Sequence, residues 1–211
     1  MATDAAEPVA IAVLAKAPVA GFAKTRLVPA LGAQRAAELQ ARLIERAVET
    51  AAGAAVGPVT LWTAPDESHA LFAKIRARLG VALARQPDGD LGVRMLGAIE
   101  AANGSVVVIG TDSPALSREH LRTAADLLRG GTDVVLFPAE DGGYALIGMR
   151  QPQAFLFAAM NWGTAEVLEE TRRRLRDRGL RWQEPVTLWD VDMPADLDRL
   201  RAAGLGGLIP Q

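Results

Sequence analysis

The chain carries a short, unbroken apolar run, Val9-Ala-Ile-Ala-Val-Leu-Ala15, and repeats that signature at Ser105-Val-Val-Val-Ile109. Apolar runs of this length without polar alternation are expected of strands covered by helices on both faces. The two are therefore predicted to be neighbouring parallel strands in the middle of one sheet. Between them the period changes. From Gln34 to Ala52 the apolar positions Leu39, Leu43, Ile44, Ala47, Val48 and Ala51 recur at helical spacing among Arg42, Glu45, Arg46 and Glu49, which predicts an amphipathic helix. Further strands are expected at 59–63, 81–84, 133–137, 144–149 and 186–189, and further helices at 68–79, 91–102, 118–129, 164–178 and 194–203. Strand and helix mostly alternate. The predicted class is α/β with a largely parallel, doubly wound sheet and a ligand site beyond the carboxyl ends of its strands.

Composition narrows the partners. With 211 residues, 50% of them hydrophobic, the chain is expected to fold as one domain over 9–211, preceded by a flexible leader, 1–8. A net charge of −2 from 23 basic and 25 acidic side chains gives no positive field for holding a nucleic-acid backbone. The absence of cysteine excludes disulfides, thiolate zinc sites and iron–sulfur clusters. Any metal must be held by oxygen or imidazole. The run 9–15 is too short for a membrane span or a signal core, so no span is expected and a cytoplasmic location is. His69 and His120 fall within predicted helices as surface residues, which argues against a histidine base. A homodimer is left open.

The candidate chemistry lies in loops. After the first strand, Gly21, Lys24, Thr25 and Arg26 lead into a helix, and Lys16, Lys24 and Arg26 place three cations in one loop. Backbone N–H groups and the dipole at a helix start attract anions, which makes this a candidate polyphosphate cradle; a plain basic turn is the alternative. It is not a Walker A loop, because Pro18 stands where the first glycine belongs. After 105–109 comes Gly110-Thr-Asp-Ser-Pro114. Mg²⁺ wants one or two carboxylates plus phosphate oxygens, so Asp112 is the first candidate ligand, although Asp-Ser-Pro also serves as a helix cap. In Leu188-Trp-Asp-Val-Asp-Met-Pro-Ala-Asp196, Asp192 is the preferred second ligand, being nearer the helix start, and Asp190 the second choice. Asp196 is expected in the first helical turn, where the dipole favours an acid. Two glycine-bearing turns, Gln86–Gly92 and Glu140–Tyr144, could let backbone approach a ligand, with Gln86 on a base edge and Asp141 on an acceptor. Both are also ordinary turn sequences.

Taken in order, Ala15-Lys-Ala-Pro18 with Gly21-Phe-Ala-Lys-Thr-Arg-Leu27, Gly89-Asp-Leu-Gly-Val-Arg-Met95, Gly110–Pro114, Asp141-Gly-Gly-Tyr-Ala-Leu146, Trp162-Gly-Thr164 and Asp190-Val-Asp-Met-Pro194 resemble the bacterial DUF2064 proteins. These are often named glycosyltransferase-like and look like relatives of the phospholactate guanylyltransferases. The resemblance implies the GT-A, or nucleotide-diphospho-sugar transferase, fold, a three-layer α/β/α sandwich. It implies a nucleotide site of Ala15, Lys16, Gly21 and Thr25, with Lys24 and Arg26 on the phosphates, Gln86 and Gly89 at the base, and Asp90 and Thr111 beside them. Asp112 and a late acid would hold Mg²⁺ or Mn²⁺, and Asp141, Gly142, Gly143 and Tyr144 with Trp162, Gly163 and Thr164 would face an acceptor. Lys24, Arg26, Asp112 and Asp141 would carry the catalysis. The expected reaction is metal-dependent nucleotidyl transfer from a nucleoside triphosphate to a small, phosphorylated acceptor. Glycosyl transfer from a nucleotide-sugar and a non-catalytic nucleotide-binding module are the alternatives. One departure stands out: the family usually has Thr before the proline of the last motif, and Met193 here removes a helix cap worth about 1 kcal/mol.

Overall fold

The computed structural model describes residues 6–211, so Met1 to Ala5 of the expected leader lie outside the described residues. Ala6 to Pro8 are exposed, and the Glu7 carbonyl accepts a 2.8 Å hydrogen bond from Arg129 Nε. The elements run β1 (Ala10–Lys16), α1 (Val28–Leu31), α2 (Ala33–Ala54), β2 (Val59–Ala64), α3 (Ala70–Leu79), β3 (Ala82–Arg85), α4 (Leu91–Glu100), β4 (Val106–Ile109), α5 (Arg118–Arg129), β5 (Val134–Pro138), β6 (Tyr144–Met149), α6 (Val167–Asp177), β7 (Trp182–Gln183) and α7 (Pro194–Ala202). Seven strands form one sheet in the order β3-β2-β1-β4-β6-β5-β7. β1 lies parallel to both β2 and β4, with Ile11 opposite Val107, as the apolar runs predict. Only β6 runs against its neighbours, antiparallel to β4 and β5.

Strand alternation builds the two outer layers. Ile11, Val13 and Ala15 of β1 and Val107 and Ile109 of β4 pack on one face against α2, α3 and α5 through Ile44, Val48, Phe72, Ile75 and Leu121. The intervening Ala12, Val106 and Val108 pack on the other face against Met95, Ala98 and Ile99 of α4 and Leu168 and Leu175 of α6. This is the three-layer α/β/α sandwich. A smaller cluster joins Leu27, just after the first loop, to Leu39 and Leu43 of α2 and to Val191, Leu197 and Leu200 around α7. That cluster matters for function, because it fixes the cationic loop against the acidic segment before α7.

The two histidines differ from the surface positions expected of them. His69 is the N-cap of α3, its Nδ1 accepting from the Leu71 N–H at 3.2 Å. His120 and Ser117 cap α5 reciprocally, each side chain accepting the other's backbone N–H at 3.2 Å. At α7 the missing threonine cap is replaced from within the first turn: the Asp196 carboxylate accepts the N–H groups of Asp192 (2.8 Å) and Met193 (2.6 Å). The strand expected at 186–189 is corrected. The ladder to β5 is made by Trp182 and Gln183, and Leu188 contributes only an isolated bridge to Ala139. Pro185 has no N–H to donate, so the ladder stops before it. Helix α6 begins at Val167 rather than 164, because the Thr164 hydroxyl turns back to the Asn161 carbonyl at 3.0 Å. Among the described residues no helix is long and apolar enough to cross a membrane.

Candidate active site

A cavity of about 740 Å³ opens beyond the carboxyl ends of β1 and β4, and three segments distant in sequence meet at its mouth. The loop after β4 is stitched to the segment before α7. The Val191 N–H donates to the Asp112 carbonyl at 2.9 Å and the Ser113 hydroxyl to the Trp189 carbonyl at 2.8 Å. The loop after β1 closes the arrangement through Lys24, whose Nζ donates to the Val191 carbonyl at 2.7 Å. The Lys24 backbone is held in the left-handed region, φ 46°, which is uncommon for a residue with a Cβ.

Electrostatics follow from this stitching. Lys24 Nζ lies 2.5 Å from Asp112 Oδ1 and 3.0 Å from Asp192 Oδ1, with its side chain only 5% exposed. Burial alone would push the amine down, but the charges of Asp112 and Asp192 outweigh it and raise the Lys24 pKa above its ordinary value. The contact with Asp112 Oδ1 is one of charge without the angle of a hydrogen bond, so that buried oxygen has no directional donor. Asp190 lines the same cavity. Its carboxyl is pushed up to about 7, first by burial and then by the charges of Asp112, Asp141 and Asp192, with Lys24 pulling the other way. The charges of Asp112, Asp141 and Asp192 thus bear on Asp190, and one buried ammonium pairs with two of them, Asp112 and Asp192. Among the described residues no group of three or more acids or histidines is placed to hold a metal ion. A hard divalent cation here would therefore take carboxylate oxygens of Asp112, the buried one of which has no directional donor, and of one late acid, and its remaining coordination from water and phosphate.

Comparisons agree with this picture of the fold. The family model described as "Uncharacterized protein conserved in bacteria (DUF2064)" matches residues 30–164. The chain belongs to the DUF2064 family. Among solved structures, a candidate nucleotide-diphospho-sugar transferase from Desulfovibrio desulfuricans G20 superposes with a TM-score of 0.84 at 28% identity, covering 93% of this chain and 87% of that one. A Methanothermobacter nucleotidyl transferase follows with a TM-score of 0.64 at 18% identity, covering 95% of this chain and 100% of the other. CMP:2-keto-3-deoxy-manno-octonic acid synthetase complexed with CTP gives 0.59 at 15% identity, with 95% and 100% covered. No curated protein sequence matches. The fold is that of the nucleotide-diphospho-sugar transferases.

In this DUF2064 chain the cavity wall takes in Ala15, Lys16, Lys24, Thr25, Arg26, Gln86, Gly89, Asp90, Thr111 and Asp112 of the sequence-derived site. Gly21, with φ 82°, lies in the loop outside that wall. Several side chains already have structural work. Gln86 Nε2 donates to the carbonyls of Ala15 (3.1 Å) and Trp62 (2.8 Å), leaving its amide oxygen as the group available to a ligand. Asp90 caps α4, accepting from the Val93 N–H at 2.9 Å. Of the expected acceptor residues only Tyr144 lines the cavity, and burial raises the pKa of its hydroxyl. Asp141 accepts from the Gly143 N–H at 3.0 Å, and the Gly142 carbonyl accepts from the Leu168 N–H at 2.9 Å, which ties this turn to α6. A Cβ on Gly142 would run into the Ala165 backbone. Trp162 stacks on Phe157 at 6.4 Å and packs over Gly92 instead of facing the cavity, with Gly163 and Thr164 in the turn beyond it.

Two polar side chains of the cavity wall, Gln40 and Arg94, had no role in the sequence reading. Gln40 is buried on the inward face of α2, and its Nε2 donates to Thr111 Oγ1 at 2.9 Å, bracing the residue next to Asp112. Its signal was a polar side chain within the apolar stripe of the helix, between Leu39 and Leu43. Arg94 lines the cavity with its Nε on the Gly89 carbonyl at 3.1 Å; it stands in the second quoted motif without a role.

Lys24 and Arg26, both expected on the phosphates, stand differently in the structure. Arg26 is 69% exposed and only 3.7 Å from Asp192 Oδ2, whereas Lys24 is buried and pairs with two acids. Urea denaturation should separate them. Lys24→Ala is expected to cost about 1–2 kcal/mol, below the usual price of breaking a buried pair because both acids stay half-exposed. Arg26→Ala should cost less than about 0.5 kcal/mol. Equal losses would show that Lys24 is no more structural than its neighbour.

Proposed function

We propose that this protein is a divalent-metal-dependent nucleotidyltransferase that moves a nucleotidyl group from a nucleoside triphosphate to a small, phosphorylated acceptor. The observation that carries the reading is the meeting of Asp112, Asp190 and Asp192 with Lys24 at the mouth of a cavity rimmed by Lys16 and Arg26. Acids alone would repel a polyphosphate and cations alone would not need the acids. Both together suit phosphates that arrive with a metal ion.

Asp112 and Asp192 would hold Mg²⁺ or Mn²⁺, with Asp190 the alternative late acid. The chemistry such an ion supplies when bound is neutralisation of charge on the phosphate oxygens. The chain's own residues do the rest. Lys16 and Arg26, exposed at the rim, bind and orient the phosphate tail, and Lys24 stands within the same wall. An acceptor phosphate oxygen then attacks the α-phosphorus in line, and the cations stabilise the charge on the departing pyrophosphate. For a hydroxyl acceptor, Asp141 would take the proton; it lies outside the cavity wall, and the support for this role is that it is exposed and that its charge reaches Asp190.

A second reading, glycosyl transfer from a nucleotide-sugar, is favoured by the likeness to the Desulfovibrio protein. A thermal-shift screen of nucleoside triphosphates and nucleotide-sugars, each with and without Mg²⁺, tests the proposal. A true ligand at 100 times its Kd should stabilise the fold by about 2.7 kcal/mol, and only with the metal present. A response confined to nucleotide-sugars would favour the second reading. No response to any nucleotide would sink both.

A further inference from the structure

The lysine and the metal make competing claims on the same two carboxylates. Lys24 Nζ touches Asp112 Oδ1 and Asp192 Oδ1 at once, at 2.5 and 3.0 Å, and is anchored by the Val191 carbonyl at 2.7 Å. A divalent ion shared by those oxygens would lie in contact with the ammonium. Like charges that close, in a site where the amine is 5% exposed, weaken each other's hold on the shared oxygens.

We infer that Lys24 is a tethered counter-cation that competes with the divalent metal for Asp112 and Asp192, so that the free protein binds the metal weakly and takes it up only when the ammonium leaves the pair. The inference rests on the metal reading of these two acids. Among the described residues no other cation pairs with Asp112: Arg26 reaches only Asp192, at 3.7 Å, and is mostly exposed. Nor is the lysine locked by directional bonds to the first acid, since Asp112 Oδ1 holds it by charge without hydrogen-bond geometry. What could draw it away is a stronger anion reaching into the same cavity, which Lys24 itself lines. A polyphosphate tail is such an anion, and it brings its own metal ligands. Metal and nucleotide would then enter together.

The test is a titration of the full-length protein with Mn²⁺ alone, following the electron paramagnetic resonance of the free hydrated ion. Lys24→Met should bind Mn²⁺ at least about tenfold more tightly than the native chain, because removing the ammonium leaves the acids uncompensated. Arg26→Met, which removes a nearby but exposed charge, should change the affinity by less than about threefold. Adding Asp112→Asn to Lys24→Met should abolish the gain. Circular dichroism checks the fold; if Lys24→Met does not fold, Lys24→Gln keeps a donor for the Val191 carbonyl and takes its place. Equal Mn²⁺ affinity in the native and Lys24 variants overturns the competition while leaving the metal site standing. No Mn²⁺ binding by either protein overturns the metal reading, and the inference with it.

Discussion

Asp112→Asn is expected to lower turnover on the order of a thousandfold while leaving the chain folded. Asparagine keeps the size of the side chain and loses its charge, which is what a metal ligand contributes and a turn former does not need. Loss of a ligand from a metal site removes several kcal/mol of charge stabilisation, and each 1.36 kcal/mol is about tenfold in rate. The fold survives for a local reason. The contact that stitches this loop to the segment before α7 runs from the Val191 N–H to the Asp112 carbonyl, a backbone group that the substitution does not touch. Lys24 also keeps Asp192 as a partner. Turnover is measured by pyrophosphate release with the nucleotide found in the thermal-shift screen. The same assay on Asp190→Asn and Asp192→Asn decides which late acid works with Asp112, the larger loss marking the ligand. Near-native turnover of Asp112→Asn would reduce its carboxylate to a structural counter-charge for Lys24.

What the sequence made legible depended on range. The central strands could be read because each is apolar on both faces, a property carried by consecutive residues of β1 and β4. Their pairing followed, and with it the position of the two loops that leave them. The pairing of Lys24 with Asp192 could not be read, since 168 positions separate them and no local pattern states that a loop cation will be spent on an acid. Gln86 shows the same limit. Its amide was readable as a polar group near the cavity, but its engagement by the Ala15 and Trp62 carbonyls depends on how β1, β2 and β3 line up. Gln40 was missed because a single polar residue in an apolar stripe is easily taken for noise. The strand misplaced to 186–189 failed for a different reason. The apolar pattern there is real, but Pro185 lacks the N–H the ladder needs, and the segment became the extended connector that delivers Asp190 and Asp192.

Leu27→Ala should destabilise the protein by about 2–5 kcal/mol and, at temperatures where it remains folded, weaken nucleotide binding as well. Leu27 is fully buried immediately after the cationic loop, and it packs with Leu39 and Leu43 of α2 and with Val191, Leu197 and Leu200. Truncation removes three carbons from a close-packed cluster and leaves a cavity, the usual source of losses of that size. The second effect comes from position. Arg26 precedes Leu27, Val191 sits between Asp190 and Asp192, and the same cluster holds both segments, so loosening it lets cations and acids move apart. A site held about 1 Å out of place can lose on the order of a hundredfold in rate. Leu121→Ala supplies the comparison, since Leu121 is equally buried but belongs to the opposite cluster, between the sheet and α5. Urea denaturation should give the two variants similar losses in stability. Nucleotide affinity, measured well below both melting temperatures, should fall only for Leu27→Ala. If both variants lose affinity alike, the binding defect is a general consequence of lower stability and the small cluster has no separate part in holding the site.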